Sequence, residues 1–331
     1  KRHAAPRLAD CDPVTGELLF YGFECAGLAT PDTAFAIGAP DGTLRHELWF
    51  QPPYGAMIHD FAITRNYAIF PIMPTTADID RMRAGGDHWA WDPSLPTWLG
   101  ILPRGGTAED IRYFRGPARW SFHTMNAYEE GSLIHLDTTA APTNAFFPNI
   151  DGSRPNPGEG DFYLTRWTCD LASNDDSFTE RRLFDRPSDF YDVDPTVVGR
   201  PYRFGFMAVK AKDRPANTIG APHPFNALGK IDVTSGEAML WYAGPESAVQ
   251  EPVFVRRGDD APEGDGYLLA VVNRLATGTS ELVILDTARI EAGPVARIHV
   301  PLHLRMAFHG MFLPDTELER ARVLNAEGKA A

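Results

Sequence analysis

The chain has 331 residues, 44% of them hydrophobic, enough to bury a large core in one or two domains. Its formal charge of −13 argues against nucleic acid or an anionic membrane surface as the main partner, yet an apolar small molecule would not feel it. Cys11, Cys25 and Cys169 are too scattered for a disulfide framework, which points to a reducing cytoplasm, and no apolar run is long enough to cross a bilayer.

The 28 prolines and 29 glycines are spread over the whole length, a punctuation that favours many short strands. Lys1-Arg2-His3 runs almost directly into strand-and-turn sequence without a signal-peptide pattern, as though cut from something longer. Short aromatic or β-branched runs bounded by turn residues predict strands at 17–23, 44–50, 60–64 and 67–72. Residues 76–83 read as helix. Strands resume at 132–137, 266–272 and 281–286, and the Glu-, Arg- and Ala-rich tail from Asp315 reads as a solvated helix or a frayed end. Residues 143–161 and 211–224 read as loops within one domain spanning residues 1–331, because apolar strands continue unchanged on both sides.

Asp12-Pro-Val-Thr-Gly-Glu17 is echoed by Asp232-Val-Thr-Ser-Gly-Glu237, with Asp41-Gly-Thr-Leu-Arg45 as a third variant. An Asp that bonds its own backbone, followed by a Gly free to take positive φ, is a hairpin recipe. Hairpins recurring without helices between them suggest a propeller of small antiparallel sheets, and a β-sandwich array fits the same pattern.

Among ten histidines, three sit in strongly apolar surroundings: His59 in Met57-Ile-His-Asp-Phe-Ala-Ile-Thr64, His123 in Trp120-Ser-Phe-His-Thr-Met125, and His309 in Met306-Ala-Phe-His-Gly-Met-Phe312. An unpaired imidazole there is costly and needs a hydrogen bond or a metal. Any one of them, read alone, is as well a hydrogen-bonded core residue. Three far apart in sequence point instead to convergence on a propeller axis, where imidazole-only ligation suits iron, copper, zinc or nickel. His46 and His135 alternate with apolar neighbours and should face solvent or a neighbouring strand. His88 and His223 fall in loops, and His299 and His303 flank Pro301 on an edge strand. Glu251, in Val249-Gln-Glu-Pro-Val253, is either a turn residue or a carboxylate behind a ligand imidazole. Asp60 and Glu129 should point to the opposite strand face or onto a loop.

The segments Ile58-His-Asp-Phe-Ala-Ile-Thr64, Phe122-His-Thr-Met-Asn-Ala-Tyr-Glu-Glu130, Gln250-Glu-Pro-Val-Phe-Val255 and Phe308-His-Gly310 resemble, in order, the landmarks of the carotenoid cleavage oxygenases, with the bacterial lignostilbene dioxygenase branch most similar. The resemblance implies an all-β, seven-bladed propeller with four axial histidines on Fe(II), using O₂ to split an alkene of a stilbenoid or carotenoid into two carbonyls. It makes His59, His123 and His309 metal ligands and Glu251 the outer-sphere carboxylate of the catalytic site. A second outer glutamate of the family falls on Asp189, one methylene shorter. The family's first histidine falls on Leu8, with His3 nearest. The resemblance further implies a C-terminal two-thirds of a family-length chain, an incomplete ring and possible self-association, with Phe61, Phe122, Phe204 and Phe308 lining a tunnel. The alternative is a truncated or degenerate propeller with weak metal binding and no turnover. A propeller hydrolase using Ca²⁺ or Zn²⁺ would need converging Asp, Asn and Glu ligands, against which the histidine motifs speak.

Overall fold

The computed structural model describes residues 8–144, 146–155, 160–219, 225–307, 309–316, 318–319 and 322–323, with Leu8 and Ala9 described by their backbone alone. Successive stretches of chain fold into antiparallel meanders. The first sheet runs β1 (Leu8–Cys11), β2 (Leu18–Gly22), β3 (Thr33–Gly38), β4 (Leu44–Phe50). The second contains β5 (Ala62–Ile63) and β6 (Tyr67–Ile72). An excursion follows: β7 (Thr75–Ala77), helix α1 (Ile79–Arg83) and β8 (Trp89–Trp91), with β7 and β8 paired. The second sheet then closes with β9 (Thr97–Pro103) and β10 (Arg112–Gly116). The third sheet is β11 (Thr124–Glu130), β12 (Leu133–Ala140), β13 (Tyr163–Asp170) and β14 (Thr179–Arg182); the fourth is β15 (Ser188–Val193), β16 (Phe204–Val209), β17 (Ala227–Asp232) and β18 (Ala238–Tyr242). The last sheet holds β19 (Ser247–Val249), β20 (Val253–Arg256), β21 (Gly266–Arg274), β22 (Thr279–Asp286) and β23 (Pro294–Val300), both β19 and β20 pairing with β21.

Chemistry written in the turns explains the meanders. Asp12 Oδ1 accepts from the Val14 amide at 2.8 Å while Gly16 takes φ +66°. Asp232 Oδ1 accepts from the Thr234 amide at 2.9 Å while Gly236 takes φ +79°. The Asp41 carboxylate accepts from the Thr43 amide at 3.0 Å beside Gly42, closing the β3–β4 hairpin in the same way. The expected helix at 76–83 is shorter than its pattern suggests. Thr76 belongs to β7, and Asp78 caps α1 by accepting from the amides of Asp80 and Arg81. Residues 315–316, 318–319 and 322–323 are helical and exposed, as the tail composition implies.

Apolar side chains fill the spaces between successive sheets. Leu19, Tyr21 and Phe35 meet Phe61 and Phe70 between the first two, and Ile69, Leu99 and Phe114 meet Leu136 and Trp167 between the next two. Met125 and Leu164 meet Met207 and Ile231 between the third and fourth, and Phe206 and Leu228 meet Phe254 and Leu268 at the last junction. The leading edges of neighbouring sheets also touch: β5 with β11, β11 with β15, and β15 with β20, which shares the leading edge of the last sheet with β19. Four-stranded meanders packed face to face, with their first strands together, are blades around an axis. Residues at the head of each first strand therefore meet although more than sixty positions separate them.

Candidate metal centre

His59 lies just before β5, His123 just before β11, Glu251 just before β20 and Asp189 within β15, so four of the five residues come from blade-leading segments. His309 arrives from beyond β23, on a segment tied down by Gln250, whose Oε1 accepts from the Ala307 amide at 3.0 Å. One nitrogen from each of His59, His123 and His309 lies within 4.8 Å of the others, and no other such group exists among the described residues. Imidazole–metal bonds of about 2.0–2.2 Å place two donors on one ion up to about 4.4 Å apart, so small side-chain torsions suffice to close this set on an ion.

Carboxylates hold two of the rings from behind. His123 Nδ1 is 2.9 Å from Asp189 Oδ1. His309 Nδ1 is 3.1 Å from Glu251 Oε1, and the other Glu251 oxygen accepts from the Gly310 amide at 3.0 Å. With each Nδ1–H donating to a carboxylate, Nε2 is left as the lone-pair nitrogen of both rings. His123 Nε2 is buried and has no hydrogen-bond partner among the described residues. An orphaned buried acceptor costs roughly 1–3 kcal/mol, and a cation in front of it removes that cost. A neutral, nitrogen-only set backed by carboxylates fits a divalent transition metal.

The electrostatics of the rings differ. Burial lowers the His59 imidazole to about 4, and the neighbouring His123 and His309 rings push it the same way, so it stays neutral and able to donate a lone pair. For His123, burial pulls downward, but Asp189, Asp60 and Glu251 outweigh it and hold the ring above its ordinary value. A proton therefore competes for that ring in the absence of metal.

Several features around the three rings were not anticipated from sequence. Asp60 reaches the neighbouring blade: its Oδ2 accepts from both the amide and the hydroxyl of Thr124 at 2.8 Å, clamping the His59 segment to the residue that follows His123. Phe190 sits at φ +53° in a bulge of β15, a conformation uncommon for a non-glycine residue, and its ring centroid is 5.0 Å from that of His123. The bulge turns Asp189 and Phe190 toward the same histidine. Thr139, fully buried on β12, donates to Asp189 Oδ1 at 2.7 Å. The only signal for it was a wholly polar run, Asp137-Thr138-Thr139, in a strand otherwise apolar but for His135.

The tunnel expectation needs correction. Phe122 does lie at the centre, stacked on His59 with ring centroids 4.0 Å apart. Phe61 instead packs against Tyr21 and Phe70 in the core between the first two blades. Phe204 packs under the Lys230 ammonium, 4.2 Å from its ring centroid, away from the three histidines, and Phe308 lies outside the described residues. His135 is buried and faces the neighbouring strand, its Nδ1 2.9 Å from the Thr168 hydroxyl of β13, and His46 likewise turns its edge to Phe35 of β3, the second of the two settings expected for them. Glu129 accepts from Thr64 and Asn66, an anchor for the turn before β6, as a loop-facing carboxylate should. An apolar cleft of about 250 Å³ opens beside His309, lined by Val253, Leu269, Met311 and Phe312 among others. His3 and His223 also lie outside the described residues.

A β-propeller carrying three convergent histidines at its axis, two of them backed by carboxylates, has the arrangement of a candidate metal site. The chain belongs to the retinal pigment epithelial membrane protein (RPE65) family, the carotenoid oxygenases, whose family model matches residues 9–314. It is 44% identical over 306 residues to isoeugenol monooxygenase of Pseudomonas nitroreducens, covering 92% of this chain and 64% of that protein. It is 41% identical to lignostilbene-alpha,beta-dioxygenase isozyme III of Sphingomonas paucimobilis, covering 94% of this chain and 65% of that protein. The crystal structure of Pseudomonas brassicacearum lignostilbene dioxygenase superposes with a TM-score of 0.89 at 41% identity, over 92% of this chain and 65% of that one. The chain thus spans about 64–65% of the length of these relatives.

Proposed function

We propose that this chain forms the metal-binding part of an iron-dependent oxygenase that splits an aryl-conjugated alkene with O₂. The reaction balances as one alkene and one O₂ giving two carbonyl compounds, one oxygen atom in each. The observation carrying the proposal is the meeting of His59, His123 and His309 within 4.8 Å, with Asp189 and Glu251 behind two of the rings. Fe(II), held by these nitrogens, supplies the one-electron chemistry that triplet O₂ needs to react with a closed-shell alkene.

The chain's own residues do the rest. Asp189 and Glu251 keep Nδ1 protonated and so aim Nε2 of His123 and His309 at one point. Phe122 and Phe190 place apolar surface against the His59 and His123 rings, which suits a flat, unsaturated substrate. Isoeugenol and lignostilbene, named in the relatives, both carry a 4-hydroxyphenyl ring conjugated to the reacting double bond, and substrates of that kind are the ones we assign here. Cys11, Cys25 and Cys169 form no disulfide, in keeping with a cytoplasmic setting. Among the described residues, no helix is long and apolar enough to cross a membrane.

The test is anaerobic reconstitution with Fe(II), then exposure to ¹⁸O₂ with isoeugenol or a 4-hydroxystilbene. Both carbonyl products should carry one labelled oxygen, and His123→Ala should abolish iron uptake and product together. Iron uptake unaffected by H123A, or carbonyls free of label, would overturn the proposal.

A further inference from the structure

We propose that Thr139 is a positioning residue of the centre, its hydroxyl holding the Asp189 carboxylate in place against Nδ1 of His123. The inference rests on the metal role proposed for His123. Thr139 contacts both members of the pair. Its amide donates to the His123 carbonyl at 2.9 Å, and its hydroxyl oxygen lies 2.7 Å from Asp189 Oδ1 and 3.1 Å from the His123 carbonyl oxygen. The hydroxyl has one proton for these two acceptors, and the Tyr191 phenol, which also contacts it, gives its own proton to the Ser188 carbonyl at 2.8 Å. The His123 carbonyl already receives the Thr139 amide and, at 3.0 Å, the Thr138 hydroxyl. The carboxylate is nearer and charged, so it takes the proton.

The same Asp189 oxygen thus accepts from His123 Nδ1 at 2.9 Å and from Thr139 at 2.7 Å. Two donors on one oxygen fix the rotation of the carboxylate, which an aspartate on a bulged strand otherwise leaves to a single torsion. Both threonine and aspartate are almost wholly enclosed, Thr139 at 0% and Asp189 at 3% exposure, so water cannot replace a lost donor. Deleting the hydroxyl leaves the carboxylate free to turn and weakens its hold on the Nδ1–H tautomer.

Thr139→Val retains the side-chain shape without the hydroxyl. In the metal-free chain, selectively ¹⁵N-labelled His123 should lose Nδ1–H tautomer purity in T139V, and Co(II), used as a spectroscopic stand-in for Fe(II), should bind about tenfold more weakly with an altered d–d spectrum. Thr139→Ser should restore both readouts. A purely packing role would lower the melting temperature without moving either one. Should valine prevent folding, Thr139→Ala carries the same test with a void in place of the methyl. The tautomer measurement does not depend on metal: a parent chain that takes up no Co(II) sinks the metal reading, whereas an unchanged His123 tautomer in T139V or T139A sinks this one. Co(II) affinity of T139V within twofold of the parent, or a T139S variant as impaired as T139V, would also overturn it.

Discussion

Replacing Asp189 by asparagine should weaken metal binding more than replacing Glu251 by glutamine, although both carboxylates stand behind a histidine proposed above as a ligand. The amides retain volume and can still accept one N–H through oxygen, so each variant removes chiefly a charge. Outer partners of this kind are worth about 10–100-fold in affinity, or about 1.4–2.7 kcal/mol. Burial decides where in that range each falls. The His123 and Asp189 side chains are 10% and 5% exposed, whereas those of His309 and Glu251 are 44% and 17% exposed. Water screens the second pair and can replace part of what it loses. We therefore expect a loss near hundredfold for D189N and near tenfold for E251Q, measured by anaerobic Fe(II) or Co(II) competition against a chelator at fixed pH. The Gly310 amide, which also donates to Glu251, gives E251Q a second small penalty without changing the order. An E251Q loss equal to or larger than that of D189N would refute the argument that burial sets the value of these partners.

Two further outcomes concern stability. At Gly266 an added Cβ would lie 2.1 Å from the Val255 carbonyl oxygen, a backbone atom of the paired strand. G266A should therefore lower the melting temperature more than G278A, where open space meets φ +64° and only backbone strain of about 1–2 kcal/mol applies. Asp192 is pushed up to about 7, chiefly by burial, with Glu251 and Asp194 adding to the rise and the amides of Phe254 and Val193 opposing it. A folded-state value above the unfolded one means that the neutral form is favoured by folding. That contribution is fully present below about 4 and is lost as pH rises through about 7. D192N, which cannot ionise, should gain stability relative to the parent between pH 5 and pH 8 in urea unfolding, and a difference that does not change with pH would contradict the assignment.

The parts of the molecule legible in the sequence are those whose physics is local. An Asp followed one to four residues later by a Gly specifies a tight turn whatever surrounds it, so three hairpins could be read directly, and β4 and β6 fall where their aromatic and β-branched runs begin and end. Helix α1 was overextended because Thr75-Thr-Ala77 has no pattern that separates a helix start from a short strand; pairing with Trp89–Trp91 decides it. The three histidines stood out because an imidazole among large apolar neighbours implies a partner.

Identifying the partner is a different problem, since it depends on which face of which blade comes to lie opposite. Asp60 neighbours a histidine, and strand alternation sends it away from that histidine's face; what the sequence cannot show is that Thr124, on the next blade, waits there to receive it. Phe61, Phe122 and Phe308 adjoin the histidine motifs in sequence, but the same alternation puts Phe61 in the core, while a bulge at Phe190, which no local pattern announces, delivers a ring to His123 instead. Buried polar runs narrow the problem without solving it. Asp137-Thr138-Thr139 must find donors and acceptors inside the protein, and each does so in a different direction: Asp137 to Arg166, Thr138 to the His123 carbonyl, Thr139 to Asp189. A strand whose polar residues are all enclosed thus marks where tertiary hydrogen bonds fix a site, and the register between blades, which no local rule supplies, determines which residues they fix.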